Sequence, residues 1–255
     1  MPISVQRLRE WLSPNADRLE LAPDGWATAR WAANETYWSH FVDREEAACT
    51  TLIAAVRDGR DVVLLDPDER IKRVTFAEVI AVASRGRERM TVLDVGGNLG
   101  DYYWIARSRH PGVELDFHCL ELPAVAAAGR RINPAVTFHT GEDVLDRQFD
   151  LIMFSSALQC MQHWQSMLAR AARSADRYVF LSDVPTLSSA KSFVIAQHHD
   201  GHVNLHHQFN RGELLEAIAG MGLKVLREFD MGPHPRVRNA PEQSICTGWL
   251  LQRGG

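Results

Sequence analysis

The chain has 255 residues, 45% of them apolar and 24% charged, a composition typical of a folded protein with a sizeable core. Its 28 Lys and Arg residues and 32 Asp and Glu residues give a net charge of −4, which argues against a nucleic-acid binder that works by neutralising phosphates. No apolar run approaches the roughly 20 residues that cross a bilayer, and the four cysteines are scattered, so we expect a cytoplasmic protein with reduced thiols, without a signal peptide, membrane span, disulfide scaffold or zinc ribbon.

The first part of the chain predicts helices joined by loops. The clearest helix runs from Val42 to Asp58, with apolar residues on one face and Gly59 placed to end it. The apolar spacing around Phe76 indicates a second helix before the basic stretch 85–89. We assign residues 1–89 to a helical N-terminal extension. This part is rich in tryptophan, with Trp11, Trp26, Trp31 and Trp38. Four of its aromatic residues either form the core of a helical layer or line the acceptor pocket: Trp26, Trp31, Tyr37 and Trp38.

From Met90 onward, short apolar strands alternate with helices. Predicted strands cover residues 91–95, 113–120, 136–139, 149–154, 178–182, 223–229 and 244–251, and predicted helices cover residues 101–109, 124–132, 161–172 and 211–221. Strands separated by helices of this length form parallel β-α-β units, whereas the last two strands are joined by a loop and are expected to be antiparallel. The sequence therefore predicts an α/β fold over residues 90–255, a doubly wound, mostly parallel seven-stranded sheet with an antiparallel last strand.

The first strand of this alternation runs into a glycine-rich loop, Gly96-Gly97-Asn98-Leu99-Gly100. Glycines at such a turn let the backbone approach a ligand closely and leave the N–H groups of the next helix available. The dinucleotide-binding spacing G-x-G-x-x-G is not met, and no Gly-Lys-Ser/Thr follows. Asp94 precedes the loop, where a carboxylate would repel a pyrophosphate but suit a cationic or hydroxyl-bearing ligand.

Two further acidic positions follow the next strands. Glu121 ends the second strand, where a carboxylate can accept hydrogen bonds from ribose hydroxyls. Glu142 and Asp143 follow the third strand, where an acceptor could meet an adenine amino group. Because the carboxyl ends of parallel strands lie at one edge of the sheet, these acids are expected to surround one ligand.

Together these residues resemble the class I, Rossmann-like S-adenosylmethionine-dependent methyltransferases, whose first motif is acid-x-Gly-x-Gly-x-Gly. Here the motif reads Asp94-x-Gly96-x-Asn98-x-Gly100, so Asn98 stands in place of the middle glycine. The runs 94–102 and 155–159 are similar to a bacterial subfamily whose genes often lie near polysaccharide or secondary-metabolite genes. Cys160 and Val184 depart from the pattern of that subfamily. Both positions lie near the expected acceptor site, so the identity of the methyl acceptor is left open, whereas the identity of the cofactor is not.

The resemblance implies S-adenosylmethionine as cofactor and methyl transfer to oxygen or nitrogen of a small molecule, a secondary metabolite or a sugar. Tyr102 is the aromatic residue expected to face the sulfonium, where cation–π attraction is worth about 0.5–2 kcal/mol. The alternatives are another enzyme on the same scaffold, such as a cyclase, and a non-catalytic partner protein. A homodimer is possible, and the sequence leaves the oligomeric state open. The residues expected to bind the cofactor are Asp94, Gly96, Gly97, Asn98, Gly100, Tyr102, Glu121, Leu122, Glu142, Asp143, Ser155 and Ser156.

Candidate catalytic residues follow the fourth and fifth strands. Gln159 and His163 are four residues apart and share one face if this segment is helical, with Ser155 or Ser156 as the candidate cap of that helix. Asp183 ends an apolar strand, where it would either orient the acceptor or hold a loop.

The segment 197–209 holds five of the eleven histidines within ten residues. Asp200-Gly201 between two β-like runs predicts a hairpin, although a loop folded over the cleft as a lid is the alternative. Three interpretations compete: a general base, with His199 and His206 as the candidates; a metal site, which we do not favour because carboxylates are nearly absent; or an inert polar surface.

Overall fold

The structure is a computed structural model that describes residues 18–28, 35–62, 69–199 and 202–254. Its first elements are strand β1 (Arg18–Leu21), a short 3-10 helix (Gly25–Thr28), and helices α1 (Glu35–Arg57) and α2 (Arg70–Ala83). The helix predicted at 42–58 is therefore confirmed but begins seven residues earlier, at Glu35. Trp11 and Trp31 lie outside the described residues, as does the side chain of Trp38.

The alternation predicted after Met90 is confirmed. The elements are β2 (Arg89–Val95), α3 (Asp101–Arg109), β3 (Glu114–Leu120), α4 (Pro123–Ile132), β4 (Thr137–His139), β5 (Phe149–Ser155), α5 (Trp164–Ser174), β6 (Ala175–Leu187), β7 (Phe193–His199), β8 (His202–Asn210), α6 (Arg211–Gly220), β9 (Leu223–Pro233) and β10 (Ile245–Arg253). Short 3-10 helices follow β4 (Glu142–Asp146) and β5 (Leu158–Cys160).

Seven strands form the predicted doubly wound sheet, in the order β4-β3-β2-β5-β6-β10-β9. The first five pair in parallel, and β10 runs antiparallel to both β6 and β9. One buried cluster, which includes Phe76, Ile105 and Phe180, lies on one face, and a second, which includes Phe154, Leu168 and Trp249, lies on the other. Because both faces of the sheet are buried, side chains pointing to either face are apolar, and the strands appear in the sequence as continuous apolar runs.

A hairpin adds to this sheet beside β6. Strands β7 and β8 pair antiparallel with His199 opposite His202, so the predicted hairpin is confirmed in place of the lid, although the turn residues 200–201 lie outside the described part. The end of β8 runs parallel to the end of β6, from Thr186 to Leu187, and β1 pairs antiparallel with β7. The described strands thus form one ten-stranded sheet.

Asp150, at the start of β5, is a buried acid whose hydrogen bonds are satisfied. Its Oδ1 accepts from Arg87 Nη1 at 2.5 Å, and its Oδ2 accepts from the Thr91 backbone nitrogen and hydroxyl at 2.8 and 3.1 Å. Charge-assisted bonds of this kind stabilise a fold only while both partners remain.

Within the described ranges, the helices are too short or too polar to span a bilayer.

Candidate active site

Three strained residues mark the edge at which the parallel strands end. Asn98 has φ +54°, Ser156 has φ +54° and Asp183 has φ +58°, a left-handed backbone that few residues other than glycine adopt, although Asn and Asp tolerate it better than Ser. They follow β2, follow β5 and lie within β6, three neighbouring strands. Strain of this kind costs about 1–3 kcal/mol per residue and is concentrated at ligand sites, so this edge is the candidate active site.

Strand β6 places Asp183 through a β-bulge. Val184 lies opposite Thr247 of β10, whereas Leu181 lies opposite Trp249, so the register shifts between these pairs. A bulge leaves one residue unpaired and changes the direction of its side chain. The strand predicted at 178–182 consequently continues past Asp183 to Leu187 instead of ending before it.

Asp94 is the most unusual side chain at this edge. It is fully buried, and neither carboxylate oxygen has a hydrogen-bond partner among the described residues. Burial, and next the nearby carboxylates of Asp101 and Glu121, raise the pKa of Asp94 well above its usual range. A buried carboxylate without partners is costly for the free protein, so it indicates a missing partner.

The glycine loop is shaped around this carboxylate. A Cβ on Gly97 would stand 2.5 Å from Asp94 Cγ, and a Cβ on Gly96, whose φ is +71°, would stand 2.7 Å from Ala157 Cβ. Glycine is therefore needed at position 97 for close approach and at position 96 for both approach and backbone conformation.

Asn133 holds the end of the loop, a role that the sequence did not suggest. It is fully buried at the end of α4, and its Nδ2 donates to the carbonyls of Leu99 and Gly100 at 3.0 and 2.9 Å. Its Oδ1 accepts from Trp104 Nε1 at 3.0 Å. Its Nδ2 thus fixes the backbone at Leu99 and at Gly100, where φ is +73°, and its Oδ1 attaches the same side chain to α3.

Asn98 and Glu121 face each other across the loop. Glu121 Oε1 accepts from the Asn98 backbone nitrogen at 3.0 Å, and its Oε2 accepts from the Leu122 nitrogen at 2.7 Å. Burial raises the pKa of Glu121 despite these bonds. Asn98 Nδ2 donates to Glu45 Oε2 at 2.8 Å, which ties α1 to the loop.

The other predicted cofactor residues lie around this loop. Tyr102 packs edge-on against Phe76, with 4.7 Å between the two ring centroids, and its hydroxyl hydrogen-bonds Ser155 Oγ at 2.8 Å. Glu142 is exposed and accepts from Arg170 Nη1 at 2.7 Å, whereas Asp143 is exposed beside it. Their roles toward a cofactor stay predictions.

A second polar cluster surrounds Asp183. Its Oδ2 accepts from Ser156 Oγ at 2.6 Å and lies 3.3 Å from Lys72 Nζ of α2. Lys72 also donates to Glu69 at 3.0 Å. Although burial opposes it, the Lys72 ammonium and the Ser156 hydroxyl hold the pKa of Asp183 below its usual value, so this carboxylate is ionised at neutral pH.

Gln159 extends the Asp183 cluster. Its Nε2 donates to the Asp183 carbonyl at 3.2 Å, while its Oε1 is buried and has no partner within the described ranges. Gln159 and His163 do not share a helix face, because the segment is not one helix: the 3-10 turn ends at Cys160 and α5 begins only at Trp164. Ser156 does not cap that helix, since its hydroxyl is bonded to Asp183.

The histidines of the hairpin lie on two faces, as the alternation predicted. His207 Nε2 accepts from Trp26 Nε1 at 3.1 Å, and His198 bonds Glu20 at 2.8 Å, so these two join the hairpin to β1 and the turn after it. His206 lies opposite Ile195, on the other face. His199 ends β7, and its side chain lies outside the described part. The catalytic roles of His199 and His206 stay predictions.

The connection between β9 and β10 also reaches this edge. Its Glu242 carboxylate accepts five hydrogen bonds of 2.6–3.0 Å from the backbone and hydroxyl groups of residues 188–190, just after β6. These bonds lower the pKa of Glu242. The same connection contains His234, which follows the end of β9. The sequence did not identify His234 or Lys72 as site residues. The only signal for His234 was its position after a strand end.

Comparison with solved structures identifies the fold. The chain is similar to 1,6-didemethyltoxoflavin-N1-methyltransferase from Burkholderia thailandensis, solved with 1,6-didemethyltoxoflavin and S-adenosylhomocysteine, at 18% identity and a TM-score of 0.52 over 89% of this chain and 93% of that one. It is also similar to magnesium protoporphyrin IX methyltransferase from Synechocystis PCC 6803, solved with S-adenosylmethionine, at 15% identity and a TM-score of 0.51 over 73% and 82% of the two chains.

A third similar structure is an O-methyltransferase family protein from Burkholderia thailandensis, at 16% identity and a TM-score of 0.53 over 98% of this chain and 70% of that one. No protein-family model and no curated protein matches the chain. At these identities the likeness establishes the fold. The chain has the fold of the class I S-adenosylmethionine-dependent methyltransferases, as its motifs predicted.

Proposed function

We propose that the protein is an S-adenosylmethionine-dependent methyltransferase that acts on oxygen or nitrogen of a small molecule. One observation carries the proposal: the buried carboxylate of Asp94 has no hydrogen-bond partner in the part of the chain that the structure describes, and it lies at the strand edge near the carboxylates of Glu121 and Asp101. A group of acids that raise one another's pKa binds a cation more readily than an anion. S-adenosylmethionine is such a cationic nucleoside, whereas a nucleoside phosphate is not.

The residues at the edge fit this ligand. Asp94 supplies the missing countercharge, and Glu121 supplies a carboxylate for ribose hydroxyls once the ligand competes with the Asn98 nitrogen. Gly96 and Gly97 leave room for close approach of the ligand to the backbone. When bound, the cofactor supplies an electrophilic methyl group on a sulfonium. The chain's own residues then have to hold the acceptor in line and take its proton.

The Asp183 cluster is the place for the acceptor. Gln159 Oε1 is buried and has no donor among the described residues, so an acceptor O–H or N–H can satisfy it. Asp183 is held ionised by Lys72 and orients a hydroxyl or an amine. The similar N1-methyltransferase was solved with bound 1,6-didemethyltoxoflavin, which supports a small-molecule acceptor here.

Calorimetric titration with S-adenosylmethionine tests the proposal. We expect saturable binding to the wild-type protein and at least about tenfold weaker binding to Glu121→Ala, since a hydrogen bond to a charged group is worth about 1.5–3 kcal/mol. Glu216→Ala, an exposed acid on α6, serves as the control and should bind as the wild type does. Binding of ADP in place of S-adenosylmethionine, or no binding to folded wild-type protein, would refute the proposal.

Binding should also depend on pH. Burial raises the pKa of Asp101 to about 6, and a bound cation favours the ionised acid, so binding releases protons. The affinity is therefore expected to rise about tenfold from pH 5 to pH 7.5 if one group of this pKa is linked to binding. Titrations in buffers of different ionisation enthalpy count the released protons. An affinity that falls over this range would contradict the expected linkage.

The presence of Asp94, Glu121 and the left-handed backbone at Asn98, Ser156 and Asp183 argues against a non-catalytic partner protein. A cyclase is the second enzyme proposed for this fold. A homodimer, a cytoplasmic location and the division of the chain at residue 89 stay proposals.

A further inference from the structure

His234 lies at the same edge of the sheet as the Asp183 cluster. Strands β9 and β6 both run antiparallel to β10, so they are parallel to each other and their carboxyl ends point the same way. His234 follows Pro233, the last residue of β9, and is half-buried. The carboxylate of Asp183 is close enough to act on the His234 ring electrostatically.

The hydrogen bonding of His234 fixes its tautomer. Its Nδ1 lies 2.8 Å from the Pro235 carbonyl oxygen, which can only accept, so Nδ1 carries the hydrogen and Nε2 carries a lone pair. Burial lowers the pKa of the ring, although the Pro235 carbonyl and Asp183 act in the opposite direction. His234 is therefore neutral at pH 7, with Nε2 free to take a proton.

Asp183 is unsuited to take that proton itself. Its Oδ2 already accepts from Ser156 and pairs with Lys72, and the Cys246 thiol donates to its carboxylate, so it stays ionised. A fixed carboxylate nearby stabilises an imidazolium once it forms. Lys72, whose Nζ lies 3.3 Å from Asp183 Oδ2, offsets part of that field because its charge is opposite.

We propose that His234 is the proton acceptor for the methyl acceptor, a hydroxyl or protonated amine whose O–H or N–H lies between Gln159 Oε1 and His234 Nε2. In this step the O–H or N–H bond breaks, an Nε2–H bond forms, and the imidazolium later gives its proton to water. Asp183 and Lys72 are positioning residues that set the basicity of His234. This inference rests on the proposed function and adds the residue that takes the proton.

The electrostatic part is tested by following the imidazole nitrogens of the full chain by NMR over a pH titration. We expect His234 to be the neutral Nδ1–H form at pH 7. Lys72→Met should raise its pKa and Asp183→Asn should lower it, whereas Lys72→Arg, which keeps the charge, should leave it unchanged. Damage to the fold would not give opposite shifts from the two members of one ion pair. Shifts of the same sign, or an Nε2–H ring at pH 7, would overturn the assignment.

The chemical part uses phenol as the probe and anisole, which has the same ring without the O–H, as its control. With S-adenosylhomocysteine at saturation, phenol should shift the His234 Nε2 resonance in a saturable way, and anisole should not. The exposed His163 serves as an internal control and should not shift. Equal shifts from both probes, or none from phenol, would refute this role of His234. Calorimetric binding of S-adenosylhomocysteine reports separately on the proposed function.

Discussion

Asp94→Asn is expected to make the free protein more stable while it weakens cofactor binding. The wild-type carboxylate is fully buried and has no hydrogen-bond partner within residues 18–28, 35–62, 69–199 and 202–254, and burial raises its pKa. Removing the charge therefore stabilises the free protein, by about 1–2 kcal/mol on the usual cost of a buried unsatisfied group. The loss of the countercharge should weaken S-adenosylmethionine binding by about ten- to a hundredfold. Chemical denaturation and calorimetric titration measure the two effects.

The pH dependence of this gain has a definite sign. Because the folded-state pKa of Asp94 is raised, the penalty of the carboxylate is present above that pKa and disappears as pH falls toward the unfolded value of about 3.9. The stability difference between Asp94→Asn and the wild type should accordingly be larger at pH 8 than at pH 5. A gain that shrinks as pH rises would show that Asp94 has a partner in the free protein.

Asp150→Asn is the matched control, since it makes the same change at another buried acid. There the carboxylate accepts from Arg87 and from Thr91, and an amide would turn its N–H₂ toward one of these donors. We expect a loss of about 2–3 kcal/mol in stability and an unchanged affinity for S-adenosylmethionine. Opposite effects of one substitution at two buried acids would separate a ligand-binding carboxylate from a structural one.

Gly97→Ala is expected to damage the site by steric contact alone. The added Cβ would stand 2.5 Å from Asp94 Cγ and Oδ2, so the buried side chain or the loop has to move. Overpacking of this kind costs about 1–3 kcal/mol, and the displaced carboxylate should weaken S-adenosylmethionine binding at least about tenfold. Thermal unfolding and titration calorimetry give the two values.

Gly112→Ala tests the same change where there is room. This glycine precedes β3, and its added Cβ would have no heavy atom within 4 Å. It should be neutral or stabilising by up to about 1 kcal/mol, because alanine restricts the unfolded chain. Wild-type stability and binding in Gly97→Ala would mean that the loop does not hold Asp94 as described.

The sequence predicted the fold and one half of the site because both depend on local pattern. Apolar runs and turn residues defined the strands from β2 to β5, and each ended within one residue of its predicted end, whereas β6 continues five residues past its predicted end. Asp94 and Glu121 could be placed together because carboxyl ends of parallel strands meet at one edge. The Asp200-Gly201 signal likewise predicted the hairpin of β7 and β8.

The other half of the site depends on contacts between distant parts of the chain. Lys72 reaches Asp183 across 111 residues of sequence, and Asn133 fixes a loop more than 30 residues before it. No periodicity indicates such pairs. The histidine-rich segment attracted attention through its composition, whereas His234 stood alone, and only the strand order brought it to the edge where Asp183 lies.

The five hydrogen bonds of Glu242 attach the connection between β9 and β10 to the loop after β6, so the two segments are expected to move together. One of these segments follows the strand of Asp183, and the other carries His234. A graft that takes either segment alone from a protein of similar fold would break this attachment and leave a carboxylate or three backbone N–H groups without partners. A redesign that changes which methyl acceptors the protein binds should therefore exchange both segments together.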